Sequence, residues 1–374
     1  MTTTKYTIGI NTLIILLMCL CMILKISTTF LIMGLLVVVF LLNRLILGKV
    51  RNNYRYKDET IISLLIIILL YYFLTYIIGY FIGFVKSNYL LTADGIFKNA
   101  FPYIVIIVLM EINRHIFVGK FKDDKVILGL IMVSFIMIDV ALLFYKYSLT
   151  NAFGLYRVLG FLIFPSITKN IFLTYCSLKN GFCPNIVYKL LMEIPVYMLP
   201  IFPNFDDFIS SLIQILLPII CLLEVIKIQK FRHLENVRDV NKISNVIIYF
   251  LYIVLFSSIV LSSGRFNVFI VTIATGSMEP NLNVGDIAIV KKEKVSNIKV
   301  GNILVYKKND ITISHRVVEV KKIKGKKYFR TKGDNNSTED AFLVNENEVK
   351  GIVKLKIPGI GYPVVWLNKN FKGV

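Results

Sequence analysis

The residues best suited to chemistry lie in the C-terminal third of the chain: Ser277, then His315, then Asp334 and Asp340. A serine hydroxyl is a poor nucleophile unless a neighbouring base takes its proton, and a third group usually orients that base. These residue types can fill all three roles. The sequence therefore predicts a serine nucleophile with a histidine base, and Asp334 and Asp340 both remain candidates for the third position.

The elements that must position these residues are mostly apolar. Of the 374 residues, 56% are hydrophobic, and the mean hydropathy is +0.69, values typical of a membrane protein. A helix needs roughly 20 apolar residues to cross a bilayer, so we predict that most of the apolar runs span it. The nine runs cover residues 7–24, 27–47, 60–85, 99–118, 126–146, 153–175, 188–203, 208–228 and 243–262.

Two of these runs are unusual for membrane helices. The run at 188–203 is interrupted by Glu193 and two prolines, which is typical of a re-entrant or interfacial segment. The run at 153–175 carries Arg157 and Lys169, and in lipid these side chains would have to face the bundle interior or a polar cavity.

The positions of lysine and arginine predict the orientation. Basic residues collect in the loops at 48–59, 114–125 and 227–242, and the positive-inside rule assigns such loops to the cytoplasm. With nine crossings, all three loops lie on one side, the N-terminus is cytoplasmic and the chain after residue 262 is extracytoplasmic. Loss of the 188–203 crossing alone would put the second and third loops on opposite sides.

This orientation leaves one histidine that could serve Ser277. His115 and His233 fall at predicted cytoplasmic helix ends, across the membrane from the serine. If Ser277 is a nucleophile with a histidine base, the base must therefore be His315.

After residue 262 the pattern changes to short segments rich in β-branched residues and separated by turn residues, which predicts a β domain of about 110 residues. The predicted strands are Asn267–Ala274, Asp286–Lys291, Ile303–Lys307, Ile311–Val320, Lys326–Lys332 and Gly351–Lys356. We thus predict a polytopic α-helical membrane region at 1–242 with about eight helices. A membrane anchor helix at 243–262 and an extracytoplasmic, mainly β catalytic domain at 263–374 follow it.

Residues 263–363 resemble the type I signal peptidase family, in the branch of ER, archaeal and sporulation-associated enzymes that uses serine and histidine. Five motifs occur in the family's order. They are Gly276–Pro280 (GSMEP), Val284–Ile287 (VGDI), Val300–Ile303 (VGNI), His315–Val318 (HRVV) and Thr331–Asn336 (TKGDNN).

The resemblance implies roles for particular residues. Ser277 matches the family's nucleophile, His315 its general base and Asp340 its acidic triad member, while Asp334 matches a second acidic position. It also implies a membrane-bound serine endopeptidase that removes signal peptides from secretory precursors at the outer face of the membrane. The expected partners are those signal peptides, the lipid bilayer and the protein export machinery.

The chain departs from the family at two positions. Thr275 replaces the usual serine two residues before the nucleophile, and its hydroxyl, with the Ser277 amide, is expected to hold the oxyanion. Glu339 replaces the aspartate that often precedes the last acid and preserves its negative charge. The other bacterial branch uses a lysine base, and the nearby candidate for such a Ser-Lys dyad is Lys332.

Other interpretations come from the long helical region, because relatives usually have one or two membrane helices. It could be a transporter or membrane scaffold carrying a fused peptidase-like binding domain, and a transport path should depend on Arg157 and Lys169. A dead peptidase fold is a third interpretation, disfavoured by the retained Ser277 and His315. The chain has a net charge of +20, but its basic domain is predicted outside the cytoplasm, so no nucleic acid partner is expected. No metal or cofactor motif is present in the sequence.

Overall fold

A computed structural model describes most of the chain. The described residues are 2–24, 28–50, 54–147, 152–231, 242–264, 266–308, 311–323, 326–362 and 364–365. The chain divides into two compact units, Met1–Ile253 and Val254–Val374. The division falls inside the predicted anchor helix at 243–262. His233 and part of the predicted basic loops, including Arg51, Arg232 and Arg238, lie outside the described residues.

The first unit is helical. Its helices are α1 (Thr2–Ile23), α2 (Thr29–Ile46), α3 (Lys57–Ile82), α4 (Ala93–Lys120), α5 (Lys125–Phe144), α6 (Ala152–Val158), α7 (Phe164–Asn180), α8 (Cys183–Glu193), α9 (Pro195–Met198) and α10 (Asp207–Phe231), and α11 (Lys242–Ser262) runs across the division. A π-helical turn, Leu159–Ile163, joins α6 to α7 and ends two residues before Pro165. The cause of the turn is that proline has no amide hydrogen and clashes with the carbonyl four residues earlier. Among the described residues, seven helical segments are long and apolar enough to cross a membrane: α1 to α5, the continuous 152–180 segment and α10.

The run predicted at 188–203 is not one helix. Pro195 ends α8 and starts the single turn α9, after which the chain is extended and forms the short strand β2 (Ile201–Pro203). Strand β2 pairs antiparallel with β1 (Phe84–Lys86), which directly follows α3. Each proline removes a helical hydrogen bond, which explains the break.

This broken segment nevertheless passes from one end of α3 to the other. Before it, Phe182 packs on His115, which in turn packs on Tyr54, just before α3 begins. Near the end of the segment, the Ile201 carbonyl accepts a hydrogen bond from Tyr76, close to the end of α3, at 2.6 Å. The residues 183–203 therefore traverse the helical unit, although they form no long helix.

Buried charges hold the broken segment in the unit. Lys189 on α8 is 1% exposed and lies 3.6 Å from Glu111 on α4 and 3.7 Å from Asp139 on α5. Lys169 on α7 pairs with Asp139 at 3.1 Å and with Glu193 at the end of α8 at 3.0 Å. Such charges persist in a low-dielectric interior when they are paired, so they tie α8 to three neighbouring helices.

Among its described residues, the second unit forms a seven-stranded antiparallel sheet. Its strands are β3 (Val268–Thr272), β4 (Ile287–Lys291), β5 (Ile303–Lys308), β6 (Ile311–Ile323), β7 (Lys326–Lys332), β8 (Leu343–Asn345) and β9 (Val349–Ile357). They pair in the order β3-β4-β9-β5-β6-β7-β8. All six predicted strands overlap an observed one, and β8, which has three residues, was missed. The expectation of a mainly β C-terminal domain is confirmed.

Two apolar clusters lie against this sheet. One contains Met278 and Leu282, from the segment that follows β3, packed with Val290 and Val305. The other contains Leu304 and Tyr306 of β5 with Val317 and Phe329 of the next two strands. Neighbouring residues of β5 thus enter different clusters, as the alternation of side chains along a strand requires.

Candidate active site

Ser277 lies in a short 3₁₀ turn, Gly276–Met278, shortly after β3. The turn is fixed from below because Met278, the next residue, is 1% exposed and packs in the apolar cluster beneath it. Burial of a methionine side chain stabilises by roughly 1.5–3 kcal/mol. The neighbouring serine is therefore presented at the surface by a residue anchored in the core.

A second loop supports this turn from the side. Asn335 donates its backbone N–H to the Ser277 carbonyl oxygen at 2.9 Å, and its side-chain amide to the Gly276 carbonyl at 3.2 Å. Gly333 approaches so closely that a Cβ atom there would lie 2.6 Å from the Ser277 carbonyl oxygen. The Gly-Asp-Asn-Asn segment therefore needs glycine at its first position to hold the serine backbone.

We expect Gly333→Ala to lower kcat by on the order of 100-fold, because the added methyl group must push the Ser277 backbone away, and small misplacements of reacting groups have effects of this size. Gly129→Ala is the matched control, since a Cβ atom at Gly129 meets nothing within 4 Å. Cleavage kinetics for both variants test this. Equal kinetics for the two variants would contradict the close approach at Gly333.

His315 lies on β6, opposite Leu304 of β5. Its Nε2 atom is 3.2 Å from the Ser277 Oγ atom, within hydrogen-bond distance. The side chain is 12% exposed, so it is shielded from bulk water yet reachable. This geometry allows His315 Nε2 to accept a proton from the serine hydroxyl.

Asp340 lies on the other side of the imidazole. Its carboxylate oxygens are 2.8 and 3.1 Å from His315 Nδ1. With Nδ1–H donating to the carboxylate, Nε2 is the nitrogen free to act as an acceptor. Of the two acids that spacing left open, the structure thus brings Asp340 to the histidine.

Asp334 has different partners. It accepts two hydrogen bonds from Arg316, from Nε at 2.8 Å and Nη2 at 2.7 Å, and one from the Asn281 side-chain amide at 2.8 Å. The Arg316 guanidinium lowers the pKa of the Asp334 carboxyl, as a bidentate charged pair does. Asp334 therefore links the segment after Ser277 to β6 and to the Gly333–Asn336 loop.

We expect Asp334→Asn to lower the free energy of unfolding by about 1–2 kcal/mol at pH 7, since it removes a charge-assisted pair. The pKa of this carboxyl is lowered from 3.8 in the folded protein. The stabilisation is therefore present above about pH 4 and is lost as the pH falls through the folded-state pKa.

Unfolding midpoints of wild type and Asp334→Asn, measured from pH 7 down to pH 3, test this. The difference should narrow below about pH 4. Glu319→Gln is the control, because its carboxylate, which pairs with Lys321 and Arg330, is exposed and such pairs contribute little. A difference that persists unchanged at low pH would contradict the ion-pair explanation.

The other candidate residues differ in their distance from the serine. The Thr275 hydroxyl lies 3.5 Å from Ser277 Oγ, so it is beside the nucleophile. Glu339 pairs with Arg330 at 3.7 Å. Lys332 is on β7 opposite Arg316, and among the described residues it makes no hydrogen bond to Ser277. The structure thus gives the serine a histidine neighbour, and the described contacts include no lysine neighbour.

Two residues at the site were not recognised in the sequence. Thr331 Oγ1 donates to Asp340 Oδ2 at 2.6 Å, and the Tyr306 hydroxyl donates to the same oxygen at 3.1 Å. Thr331 belongs to one of the five motifs, but nothing in its spacing indicated this contact. Tyr306 is one of 20 tyrosines, and its role depends on strand pairing.

The arrangement can carry out acyl transfer with a serine nucleophile, a histidine base and an orienting carboxylate. No group of three or more His, Cys, Asp or Glu side chains suited to a metal ion occurs in the part of the chain that the structure describes.

Comparison with known proteins gives matches to the same region. A family model described as Peptidase S24-like matches residues 250–354. The signal peptidase complex catalytic subunit SEC11 of Lachancea thermotolerans is 37% identical over 112 residues, which cover 27% of this chain and 67% of that protein. The SEC11 subunits of Zygosaccharomyces rouxii and Clavispora lusitaniae are 35% and 36% identical, each over 27% of this chain and 66% of the relative. The aligned segment thus spans about two thirds of the relatives' length.

These matches define the C-terminal unit as a serine peptidase domain. The chain belongs to the signal peptidase family, with a type I signal peptidase-like catalytic domain, as its five motifs predicted. The first 249 residues lie outside the matched family region. These matches therefore do not cover the long helical unit.

Proposed function

We propose that this protein is a membrane-bound endopeptidase that removes signal peptides from exported precursors, with Ser277 as nucleophile and His315 as general base. The observation that carries the proposal is the chain of contacts from Ser277 Oγ to His315 Nε2 at 3.2 Å and from His315 Nδ1 to Asp340 at 2.8 Å. The SEC11 relatives, named as signal peptidase catalytic subunits, supply the class of reaction.

The reaction proceeds in two halves. Ser277 Oγ attacks the scissile carbonyl carbon as His315 Nε2 takes the hydroxyl proton, and Asp340 stabilises the imidazolium that forms. His315 then gives this proton to the leaving amine, which frees the mature protein. A water molecule, deprotonated by His315, hydrolyses the ester between Ser277 and the signal peptide.

When Ser277 attacks, negative charge develops on the oxygen of the scissile carbonyl group, and hydrogen-bond donors must stabilise it. The Ser277 backbone N–H and the Thr275 hydroxyl are the groups we assign to this task, since Thr275 Oγ1 lies 3.5 Å from Ser277 Oγ. Preorganised donors of this kind act where charge develops in the transition state.

We expect Thr275→Val to lower kcat by about 100-fold, the usual effect of removing one oxyanion donor. Thr275→Ser keeps the hydroxyl and should retain activity within a few-fold of wild type. Steady-state kinetics of both variants on the same precursor distinguish the loss of a hydroxyl from a change in volume. Equal activity of the serine and valine variants would remove Thr275 from the oxyanion site.

The substrate is expected to bind as an added strand. Strand β3, which leads to Ser277, is at the edge of the described sheet and pairs with β4 alone. An extended segment of precursor can hydrogen-bond to its free edge, with small side chains at the first and third positions before the cleaved bond. Signal peptides end in sites of this kind.

The topology proposed is nine crossings with a cytoplasmic N-terminus and an extracytoplasmic catalytic domain. Its support is that residues 183–203 traverse the helical unit, which keeps the number of passes odd. A broken segment is tolerated at membrane depth where protein surrounds it, and Tyr188, Tyr197 and Leu199 are all buried. The protein then works at the outer face of the cell membrane, in contact with lipid and with the export machinery that delivers precursors.

We infer that the helical unit is a scaffold for presenting precursors. Arg157 and Lys169, on which a transport path would depend, are both engaged in ion pairs: Arg157 with Asp207 at 2.7 Å, and Lys169 with Asp139 and Glu193. The alternative of a transporter with a peptidase-like binding domain predicts solute movement that stops in Arg157→Ala and Lys169→Ala, whereas a scaffold tolerates alanine at both positions while cleavage continues. Solute uptake by vesicles containing each variant separates the two.

The test of the proposed function is cleavage of a signal-peptide precursor by the full-length protein in liposomes, with the new N-terminus identified by mass spectrometry. We expect one cut, directly after a small-x-small site. A precursor with a bulky residue directly before the cut is the matched control and should remain intact. Failure to cleave any of a panel of such precursors, or cleavage at unrelated sites, would contradict the proposal.

A further inference from the structure

The acid that orients His315 lies on a segment without regular structure. Residues 333–342, between β7 and β8, form turns and bends. A backbone hydrogen bond from Asp340 N–H to the Thr331 carbonyl oxygen, at 2.9 Å, ties the segment to the sheet. This bond fixes the Asp340 backbone, but the direction of its carboxylate depends on side-chain partners.

Two buried hydroxyl groups converge on one oxygen of that carboxylate. Tyr306 and Thr331 donate to Asp340 Oδ2 at 3.1 and 2.6 Å, and the two hydroxyl oxygens are 3.3 Å apart. Both side chains are fully buried. His315 Nδ1 also lies 2.8 Å from Oδ2, so this oxygen is the point at which all three side chains meet.

Strand register explains how the two hydroxyl groups come together. His315 lies on β6, between β5 and β7. Tyr306 is opposite Ile313, and Thr331 is opposite Val317. Ile313, His315 and Val317 alternate along one face of β6, so Tyr306 and Thr331 are diagonal neighbours of the histidine on that face. The sheet thus supports Asp340 from both sides of the strand that carries the base.

We propose that Tyr306 is a positioning residue of the active site, which acts through its hydrogen bond to Asp340 Oδ2. The inference rests on the proposed function. The phenol and Thr331 together keep the carboxylate directed at His315 Nδ1, so that the imidazole presents Nε2 to Ser277. Tyr306 contacts neither Ser277 nor His315 in the described hydrogen bonds, and its effect on the reaction passes through Asp340.

The phenol is a dependable donor. Burial raises the pKa of Tyr306 above its ordinary value of 10.0, so its O–H keeps the proton at any pH at which the enzyme would work. A hydrogen bond to a carboxylate is stronger than one between neutral groups, and an imperfectly held carboxylate would let the imidazole rotate away from the serine.

The first test is Tyr306→Phe, which removes one oxygen atom and keeps the ring in its cluster. We expect kcat to fall about tenfold, the effect of losing one hydrogen bond to a charged group, with KM within about twofold of wild type, since the hydroxyl does not touch substrate. Tyr328→Phe is the matched control. Tyr328 is on β7 and has no hydrogen bond to the Asp340 carboxylate among the described contacts. The Tyr328→Phe variant should therefore keep the kcat of the wild type.

The second test separates positioning from a general effect on folding. In an Asp340→Ala background, Tyr306→Phe should produce no further loss of kcat, because the group through which Tyr306 acts is gone. Single-turnover cleavage with excess enzyme keeps these slow variants measurable. A tenfold loss that persists in the Asp340→Ala background would overturn the proposal, and so would a wild-type kcat for Tyr306→Phe.

Ser277→Ala in the same assay shows whether a negative result contradicts only the role of Tyr306 or the proposed function as well. If Ser277→Ala is inactive and Tyr306→Phe is unaffected, only the role of Tyr306 is wrong. If Ser277→Ala cleaves as well as wild type, the proposed function itself fails.

Discussion

His315→Ala is expected to lower kcat for precursor cleavage by on the order of 10⁴- to 10⁶-fold, because loss of the base in a serine, histidine and aspartate triad removes nearly all the catalytic advantage of the triad. The structural reason is that the Ser277 hydroxyl has the imidazole at 3.2 Å as its nearest base. KM should change little, since His315 acts on the reacting atoms. Cleavage of a precursor by full-length variants in liposomes measures the effect.

Lys332→Ala is the control for this prediction. A Ser-Lys dyad would require the amine of Lys332 near Ser277, and the described contacts place it on β7 without a hydrogen bond to the serine. We expect its kcat to remain within about threefold of wild type, as for a substitution outside the reacting groups. A large loss in Lys332→Ala together with an active His315→Ala would favour the dyad instead.

Asp340→Ala has the second-largest expected effect, a loss of kcat of about 10³- to 10⁴-fold. Asp340 contributes by holding His315 in one tautomer and by stabilising the imidazolium, and two contacts of 2.8 and 3.1 Å carry both tasks. The effect is smaller than that of His315→Ala because an unassisted imidazole can still accept a proton.

Asp334→Ala is the informative comparison, since this acid comes from the same loop. Its partners are Arg316 and Asn281, so its removal should lower stability and reduce kcat far less than Asp340→Ala does. Suppose instead that the Asp334→Ala variant is fully folded and loses as much activity as Asp340→Ala. The assignment of a structural role to Asp334 and an orienting role to Asp340 would then be wrong.

The sequence predicted much of this molecule. The five motifs led to the signal peptidase family, which the comparisons confirm, and the β-branched segments predicted six of the seven strands that the structure describes in the C-terminal unit. These features are local, since a motif or a strand pattern occupies a few consecutive residues. The roles assigned to Ser277, His315 and Asp340 remain proposals with geometric support.

The features that the sequence did not predict depend on distant contacts. Tyr306 meets Asp340 because β5 and β7 flank β6, and hydrophobic patterning contains no information about such diagonal neighbours. The run at 188–203 was ambiguous for a similar reason. Its prolines indicated a break, but the contact of Phe182, directly before α8, with His115 and that of Ile201 with Tyr76 show that residues 183–203 traverse the helical unit.

The most direct test of the serine mechanism is a comparison of wild type with Ser277→Ala in liposomes, using one precursor and reading the mass of the product. We expect the wild type to release the mature protein, and Ser277→Ala, folded as well as wild type, to release none above background. If Ser277→Ala yields the same product at a comparable rate, Ser277 is not the nucleophile, and the serine mechanism is wrong.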